Sequence, residues 1–244
     1  MNSLNKKYTE IPFPKERYLI SDPLDAARNK NNVCGVGEMD ITKLRQDCKK
    51  FNVSFLSRII YAVSQAAVKN PAVNSYKKGK RKIVTFNEVD ICIMIERAVG
   101  SIKLPLPYII RNANVKSLQE INSELINARK GDLNEIYLHK DMRLYLSMPK
   151  FIRMLFWKYL LRNPHQFKKG LGTIAITALH SRGDGLIHFD PSTPYTVTVA
   201  LGKIYKNAEG KDLMYYTLSI DHDIIDGMDA IKFAYSFSNS QIVL

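Results

Sequence analysis

The residues best suited to chemistry lie close together near the end of the chain, in the stretch SIDHDIIDGMDA at 219–230. In this stretch one histidine, His222, lies close to Asp221, Asp223 and Asp226. An imidazole titrates near neutral pH, and a nearby carboxylate can fix its tautomer and raise its basicity, so His222 is a candidate general base. The same residues also suit a buried histidine beside a helix whose N-terminus an aspartate caps. Both interpretations stay open on the residues alone.

A metal site is a third interpretation of this stretch, because imidazole and carboxylate groups are common metal ligands. Side chains alternate between the two faces of a strand, and this alternation points Asp221 and Asp223 away from His222. The sequence therefore predicts no metal centre here.

The elements that must position this stretch are predicted from the patterns around it. The run LMYYTLSI leads into it as a strand, and MDAIKFAYSFSNS follows it as a helix. Upstream, VDICIMIERAV has apolar residues on both faces, which is typical of a central strand. The remaining predicted strands are CGVGEMD, KIVTF, GTIAITAL and PYTVTVALGKI.

Helices are interspersed with these strands. Ser54 is placed to cap one helix, and Ser117 and Glu120 have the spacing of a capping box at the start of another. A strongly apolar helix is predicted at 148–163 and is interpreted as a lid, an interface element or core, with Trp157 favouring packing. The pattern predicts the α/β class, with a mixed β-sheet and helices packed on it.

Composition bounds the function. The chain has 244 residues, 45% of them hydrophobic, which is enough for one sizeable core. No stretch approaches 18 apolar residues and the N-terminal residues MNSLNKKYTEIPF have no apolar run to serve as a signal peptide, so we expect a cytoplasmic protein without a membrane partner. The three cysteines, which are widely spaced, match neither a zinc pattern nor a disulfide framework. They are Cys34, Cys48 and Cys92.

The chain is strongly basic, with 36 basic and 23 acidic side chains and a net charge of +13. Such a balance favours polyanions or a phosphate-bearing co-substrate. The densest cluster, KKGKRK at 77–82, is interpreted as a solvated turn between a helix and a strand. No signature of a nucleic-acid-binding fold accompanies it, so no nucleic-acid partner is expected.

The stretch SIDHDIIDGMDAIKF resembles the C-terminal signature of the dihydrolipoyl acyltransferases of 2-oxo acid dehydrogenase complexes, and its His-x-x-x-Asp-Gly core is shared with chloramphenicol acetyltransferases. Further stretches resemble the family in the same order, from about residue 36 to 238. They are SFLSRIIYAVSQAAVKNPAVNSY, VDICIMIE, LPYIIRNANVKSLQEINSEL, GTIAITAL and VTVALGKI. The resemblance implies a two-layer, chloramphenicol acetyltransferase-like sandwich in a single catalytic domain at 34–244, preceded by an N-terminal surface segment at 1–33.

The resemblance also implies roles for particular residues. His222 would be the general base that takes a proton from a thiol or hydroxyl, which then attacks an acyl-CoA thioester. Thr177 stands where the family places a serine that stabilises the oxyanion. Asp226 would order the local loop through an arginine near the N-terminus, for which Arg17 is the candidate.

Other positions follow or depart from the family pattern. Arg111 and Asn112 match a segment near the family's substrate channel, although packing and loop stabilisation explain them as well. His180 stands where the family has a glycine, as a second titratable group of the site or as a surface-loop histidine. Asp223 replaces an arginine after the histidine. The sequence contains no lipoyl domain, so no covalently bound lipoate is expected.

The resemblance as a whole implies a free-standing, CoA-dependent acyltransferase. We expect CoA or acyl-CoA as co-substrate, no metal, and a small-molecule or lipoyl-type acyl acceptor. We also expect a homotrimer with active sites at subunit interfaces, where His222 of one subunit meets Thr177 of another. The alternative is a non-catalytic trimeric scaffold or acyl-CoA-binding homologue that kept the motif for folding.

Overall fold

The computed structural model describes residues 8–99, 102–130, 139–178 and 187–240. Its main sheet has six strands in the order β1, β8, β7, β6, β4, β5. The pairs β4–β6 and β6–β7 are parallel and the other three are antiparallel, so the predicted mixed sheet is confirmed. The strands are β1 Asn32–Asp40, β4 Ile91–Val99, β5 Ile102–Ile110, β6 Ile174–Ala178, β7 Val197–Lys206 and β8 Asp212–Asp221.

Eight α-helices lie within the described residues. They are α1 Tyr18–Ala27, α2 Thr42–Phe51, α3 Phe55–Lys69, α4 Leu118–Lys130, α5 His139–Ser147, α6 Lys150–Arg162, α7 Pro164–Leu171 and α8 Gly227–Ser238. None of them combines the length and hydrophobicity that a membrane-crossing segment needs.

One face of the sheet carries the main core, and α3, α4 and α8 cover it. Alternate residues of the strands point into this core, among them Ile91 and Ile93 of β4 and Ile174 and Ile176 of β6. The period-two alternation sends the intervening residues to the opposite face. This opposite face is therefore the one that carries Thr177 and Asp221.

Local signals in the sequence fix several element ends. The side chain of Ser54 accepts a hydrogen bond from the Ser57 amide at the start of α3, as predicted. Ser117 and Glu120 form the reciprocal bonds of a capping box at the start of α4. Two prolines are tolerated within β5 because it is an edge strand, which needs no hydrogen bonds on its outer side.

Two regions differ in detail from the sequence prediction, and a third, the apolar helix predicted at 148–163, is confirmed. The basic cluster at 77–82 is the turn of a separate hairpin, β2 Ser75–Lys78 and β3 Lys82–Thr85, rather than a link between a helix and a strand. The segment at 1–33 includes helix α1 and the first two residues of β1, so the division at 33/34 falls within a strand. The apolar helix is α6, and Trp157 is only 8% exposed, which confirms its packing role.

Candidate active site

The histidine motif forms a tight turn at the end of β8. The carbonyl of Asp221 accepts hydrogen bonds from the amides of Ile224 and Ile225, both at 3.0 Å. Ile225 is completely buried in the main core and anchors the far side of the turn. His222 lies between these anchors with its side chain exposed, where it can contact a substrate or a neighbouring chain.

A buried ion pair holds the first residue of this turn. The ammonium group of Lys30 lies 2.9 Å from Oδ2 of Asp221, and the two side chains are 18% and 8% exposed. The same ammonium group donates to the carbonyls of Pro194 and Tyr195 at 2.9 and 3.0 Å. Burial lowers the pKa of Lys30, and the nearby carboxylate of Asp221 opposes that shift. Lys30 thus ties the motif to the segment before β7.

The residues next to Lys30 complete the support of the turn. The amide of His222 donates to the carbonyl of Asn31 at 2.8 Å, which fixes the backbone that carries the imidazole. The side-chain amide of Asn31 donates to Asp223 at 2.8 Å, and Lys77 of β2 pairs with Asp223 at 2.7 Å. Lys77 and then Asn31 lower the pKa of Asp223. Asp223 therefore has two partners of its own.

Sequence reasoning missed Lys30 and Asn31. They belong to the polar stretch NKNN, which has no periodicity and no motif. Their place in the site follows from the antiparallel pairing of β1 with β8, in which Asn32 is opposite Asp221. Only a prediction of that register would have placed them beside His222.

Asp226 has a structural role at the start of α8. Its side chain accepts a hydrogen bond from the amide of Asp229 at 3.2 Å, which makes it the N-cap of this helix. Arg17 lies just before α1 with its side chain exposed. No ion pair joins the two residues in the part of the chain that the structure describes. Their pairing stays a prediction.

Thr177 lies on β6, half-buried, on the same face of the sheet as Asp221. The register places Thr177 beside Ala200 of β7, and Ala200 beside Thr217 of β8. Asp221 is therefore two strands across and four residues along from Thr177. At ~4.8 Å per strand and ~3.4 Å per residue, the two backbones are roughly 17 Å apart. The structure does not bring Thr177 and His222 of one chain together.

Arg111 and Asn112 surround a different carboxylate. Asp90, just before β4, is 1% exposed. Its side chain accepts hydrogen bonds from the guanidinium of Arg111 at 2.8 Å and from the backbone amide of Asn112 at 2.9 Å. Lys168 lies 3.1 Å from the same carboxylate. These contacts account for loop stabilisation, and the channel role of Arg111 and Asn112 stays a prediction. His180 lies outside the described residues.

Two clefts open at the end of the sheet that carries Asp90 and Asp221. One of about 430 Å³ borders Asp90, Arg111 and His165, and the strand that follows Asp90, β4, is three strands away from β8, which leads to His222. The other, of about 310 Å³, is bordered by Lys30, which pairs with Asp221, and by Arg28 and Thr193. The smaller cleft is the one beside the histidine motif. Across the described ranges, no cluster of three His, Cys, Asp or Glu side chains has the arrangement of a metal site.

Comparison with known proteins adds to this geometry. A family model described as 2-oxoacid dehydrogenases acyltransferase (catalytic domain) matches residues 5–142. That match ends before Thr177 and His222. The sequence matches no curated protein.

Several solved structures are similar to this chain over nearly its full length. A probable dihydrolipoamide acetyltransferase from Listeria monocytogenes 4b F2365 has a TM-score of 0.68 at 21% identity, over 97% of this chain and 99% of that one. A dihydrolipoamide acetyltransferase from Azotobacter vinelandii has a TM-score of 0.69 at 17% identity, over 97% and 92%. A chloramphenicol acetyltransferase has a TM-score of 0.54 at 17% identity, over 95% and 99%. These similarities establish the chloramphenicol acetyltransferase-like fold.

Proposed function

Because the chain belongs to the 2-oxoacid dehydrogenase acyltransferase (catalytic domain) family, we propose that it transfers an acyl group between coenzyme A and a thiol or hydroxyl acceptor. The observation that supports His222 as the base is its place on an exposed turn whose backbone is fixed on both sides, by Asn31 and by the buried Ile225. Such a turn presents an imidazole without a competing structural contact among the described residues.

The proposed reaction uses one proton and one oxyanion donor. His222 takes the proton from the acceptor thiol or hydroxyl, whose sulfur or oxygen attacks the carbonyl carbon of the thioester. The hydroxyl of Thr177 donates a hydrogen bond to the tetrahedral oxyanion. The intermediate then collapses with cleavage of the bond to the CoA sulfur, and the imidazolium returns the proton to that sulfur.

We further propose that each active site is built from two chains of a homotrimer. A separation of roughly 17 Å across two strands and four residues is far beyond hydrogen-bond reach, so one chain does not supply both groups to one substrate. A heterologous contact in a closed ring brings His222 of one subunit to Thr177 of the next. The net charge of +13 favours the phosphates of CoA at such a site.

The test of the activity is direct. Incubation with acetyl-CoA and free dihydrolipoamide is expected to give S-acetyl-dihydrolipoamide, detected by mass spectrometry. His222→Ala should abolish the product, whereas His165→Ala, which changes an exposed histidine at the other cleft, should leave it unchanged. Equal activity of the His222→Ala and wild-type proteins would refute the role of the base. If neither this thiol nor an alcohol is acetylated, and CoA does not raise the melting temperature, the non-catalytic scaffold is the better interpretation.

The test of the shared site uses two inactive variants. Thr177→Val should lower kcat by about 10²–10³-fold through loss of the oxyanion donor. When equal amounts of His222→Ala and Thr177→Val chains are refolded together, about a quarter of the sites in a ring regain both groups. Recovery of activity to that level supports a site between chains, and no recovery, with mixed assemblies demonstrated by mass, contradicts it.

A further inference from the structure

Helix α6 exposes an apolar face that the rest of the described chain does not cover. Phe151, Leu155 and Tyr159 follow one another at helical spacing and are 66%, 60% and 55% exposed. Ile152 and Phe156 widen the face, at 39% and 47% exposed. Large exposed side chains scattered singly are ordinary, but a contiguous row on one helix marks an interaction surface.

The opposite face of α6 is anchored in a way that fixes this orientation. Nε of Arg153 lies 2.7 Å from the carboxylate of Asp22 in α1, and both side chains are almost fully buried. The same carboxylate accepts from the hydroxyl of Tyr145 at 2.6 Å, and that hydroxyl accepts from the indole of Trp157 at 2.8 Å. Rotating α6 to bury its apolar face would break this network and leave buried charges unpaired. The exposure of the apolar row is therefore built into the fold.

The charge of α6 distinguishes between possible partners. The helix contains four basic residues and no acid, and Lys158 and Arg162 lie exposed beside the row of Phe151 and Leu155. A second copy joined by a two-fold contact through this face would bring these like charges together, and in the ring proposed above this basic face would meet another surface of a chain whose net charge is +13. A surface with an apolar interior and an anionic rim instead complements both features, and a bilayer containing anionic lipid is such a surface.

We propose that the outer face of α6 docks the protein on the surface of an anionic membrane. The 13-residue helix is about 20 Å long and would lie in the interfacial plane, with its aromatic and aliphatic side chains in the lipid and its basic groups at the phosphates. The expectation of no membrane partner rested on the lack of a segment long enough to span a bilayer, and that length does not limit a helix lying on the surface. The proposal does not depend on acyl transfer.

The experiment is co-sedimentation of the full chain with vesicles of phosphatidylcholine alone and with 30% phosphatidylserine. Wild type should bind the phosphatidylserine vesicles, and Phe151→Ser with Leu155→Ser should weaken binding by more than tenfold. Lys158→Gln with Arg162→Gln should weaken it by about fivefold for each charge removed, because each basic residue near the surface contributes ~1 kcal/mol. All four changes are at exposed positions, and equal unfolding midpoints would show that the variants fold.

A matched control is available on another helix. Met228 and Ile231 of α8 are 62% and 63% exposed, so Met228→Ser with Ile231→Ser removes similar apolar area elsewhere. This control should bind vesicles like the wild type. The proposal is overturned if wild type binds neither vesicle, or if the control loses binding as much as the α6 variant. It is also overturned if wild type stays free of vesicles while the α6 apolar variant changes the oligomeric mass, since the face would then be a contact between copies.

Discussion

Replacing Lys30 by methionine should destabilise the protein and loosen the turn that carries His222. Lys30 donates to Asp221, Pro194 and Tyr195, all within 3.0 Å, from a largely buried position. Its loss leaves the carboxylate of Asp221, itself 8% exposed, without a cation. Breaking a buried pair by removal of one partner costs about 3–5 kcal/mol. With an m-value near 3 kcal/mol/M, the midpoint in urea should fall by about 1–2 M.

The assay is urea unfolding, followed by tyrosine and tryptophan fluorescence at one fixed protein concentration, because an oligomer's midpoint depends on concentration. The matched control is Lys77→Met, which breaks the exposed pair with Asp223 on the other side of the turn and should leave the midpoint close to that of wild type. The double variant with Lys30→Met and Asp221→Asn removes both charges, so it should recover part of the loss.

Two results would refute this account of the pair. The first is a midpoint for Lys30→Met that matches that of Lys77→Met, which would mean that Asp221 is well solvated without its partner. The second is that the losses of unfolding free energy from Lys30→Met and Asp221→Asn add up to the loss in the double variant. Residues in direct contact should instead show a coupling energy of at least about 0.5 kcal/mol.

Two further predictions concern the neighbouring elements. Gly172, just before β6, has φ of +81°, and a β-carbon added there would lie 2.8 Å from the carbonyl oxygen of Asp90. Gly172→Ala should therefore cost about 1–3 kcal/mol of unfolding free energy. Gly170→Ala on α7, where an added β-carbon meets nothing within 4 Å, should be neutral or stabilising, and equal urea midpoints for the two variants would contradict the strain. Lys77 and Asn31 lower the pKa of Asp223, so this carboxylate contributes stability above its unfolded pKa of about 4 and loses that contribution as the pH falls through the lower folded value. The difference in melting temperature between wild type and Asp223→Asn should therefore narrow between about pH 5 and pH 3, and a constant difference would argue against it.

Strong local patterns made much of the fold predictable. The strands of the main sheet combine β-branched residues with flanking turn residues, and two helices begin at Ser54 and Ser117, whose caps are readable in the sequence. The position of His222 directly after a strand followed from the run LMYYTLSI. These features depend on residues close in sequence, where periodicity and capping act.

Long-range register was not predictable, and the support of the site depends on it. Lys30 meets Asp221 because β1 pairs with β8 in a register that places Asn32 opposite Asp221, 189 residues apart by their numbering. Helix α1 lies in a polar, proline-bearing segment that suggested only surface chain, yet its Asp22 is buried against Arg153 of α6. A buried charge pair between distant elements leaves no periodic signal in either element.

The two groups of the proposed catalytic pair are held by different means, and this bears on how the site responds to change. Thr177 lies on a central strand, β6, and its backbone is positioned by the ladder with β7, in which it pairs with Ala200. The backbone of His222 is held by the carbonyl of Asn31, and the residue before it, Asp221, is held by the side chain of Lys30. Lys30 and Asn31 lie in an irregular link between α1 and β1. Substitution of Lys30 should therefore displace His222, the proposed base, and leave Thr177, the proposed oxyanion donor of the same chain, in place. In an assembly that shares its sites between chains, such a subunit still serves its neighbour with an intact Thr177.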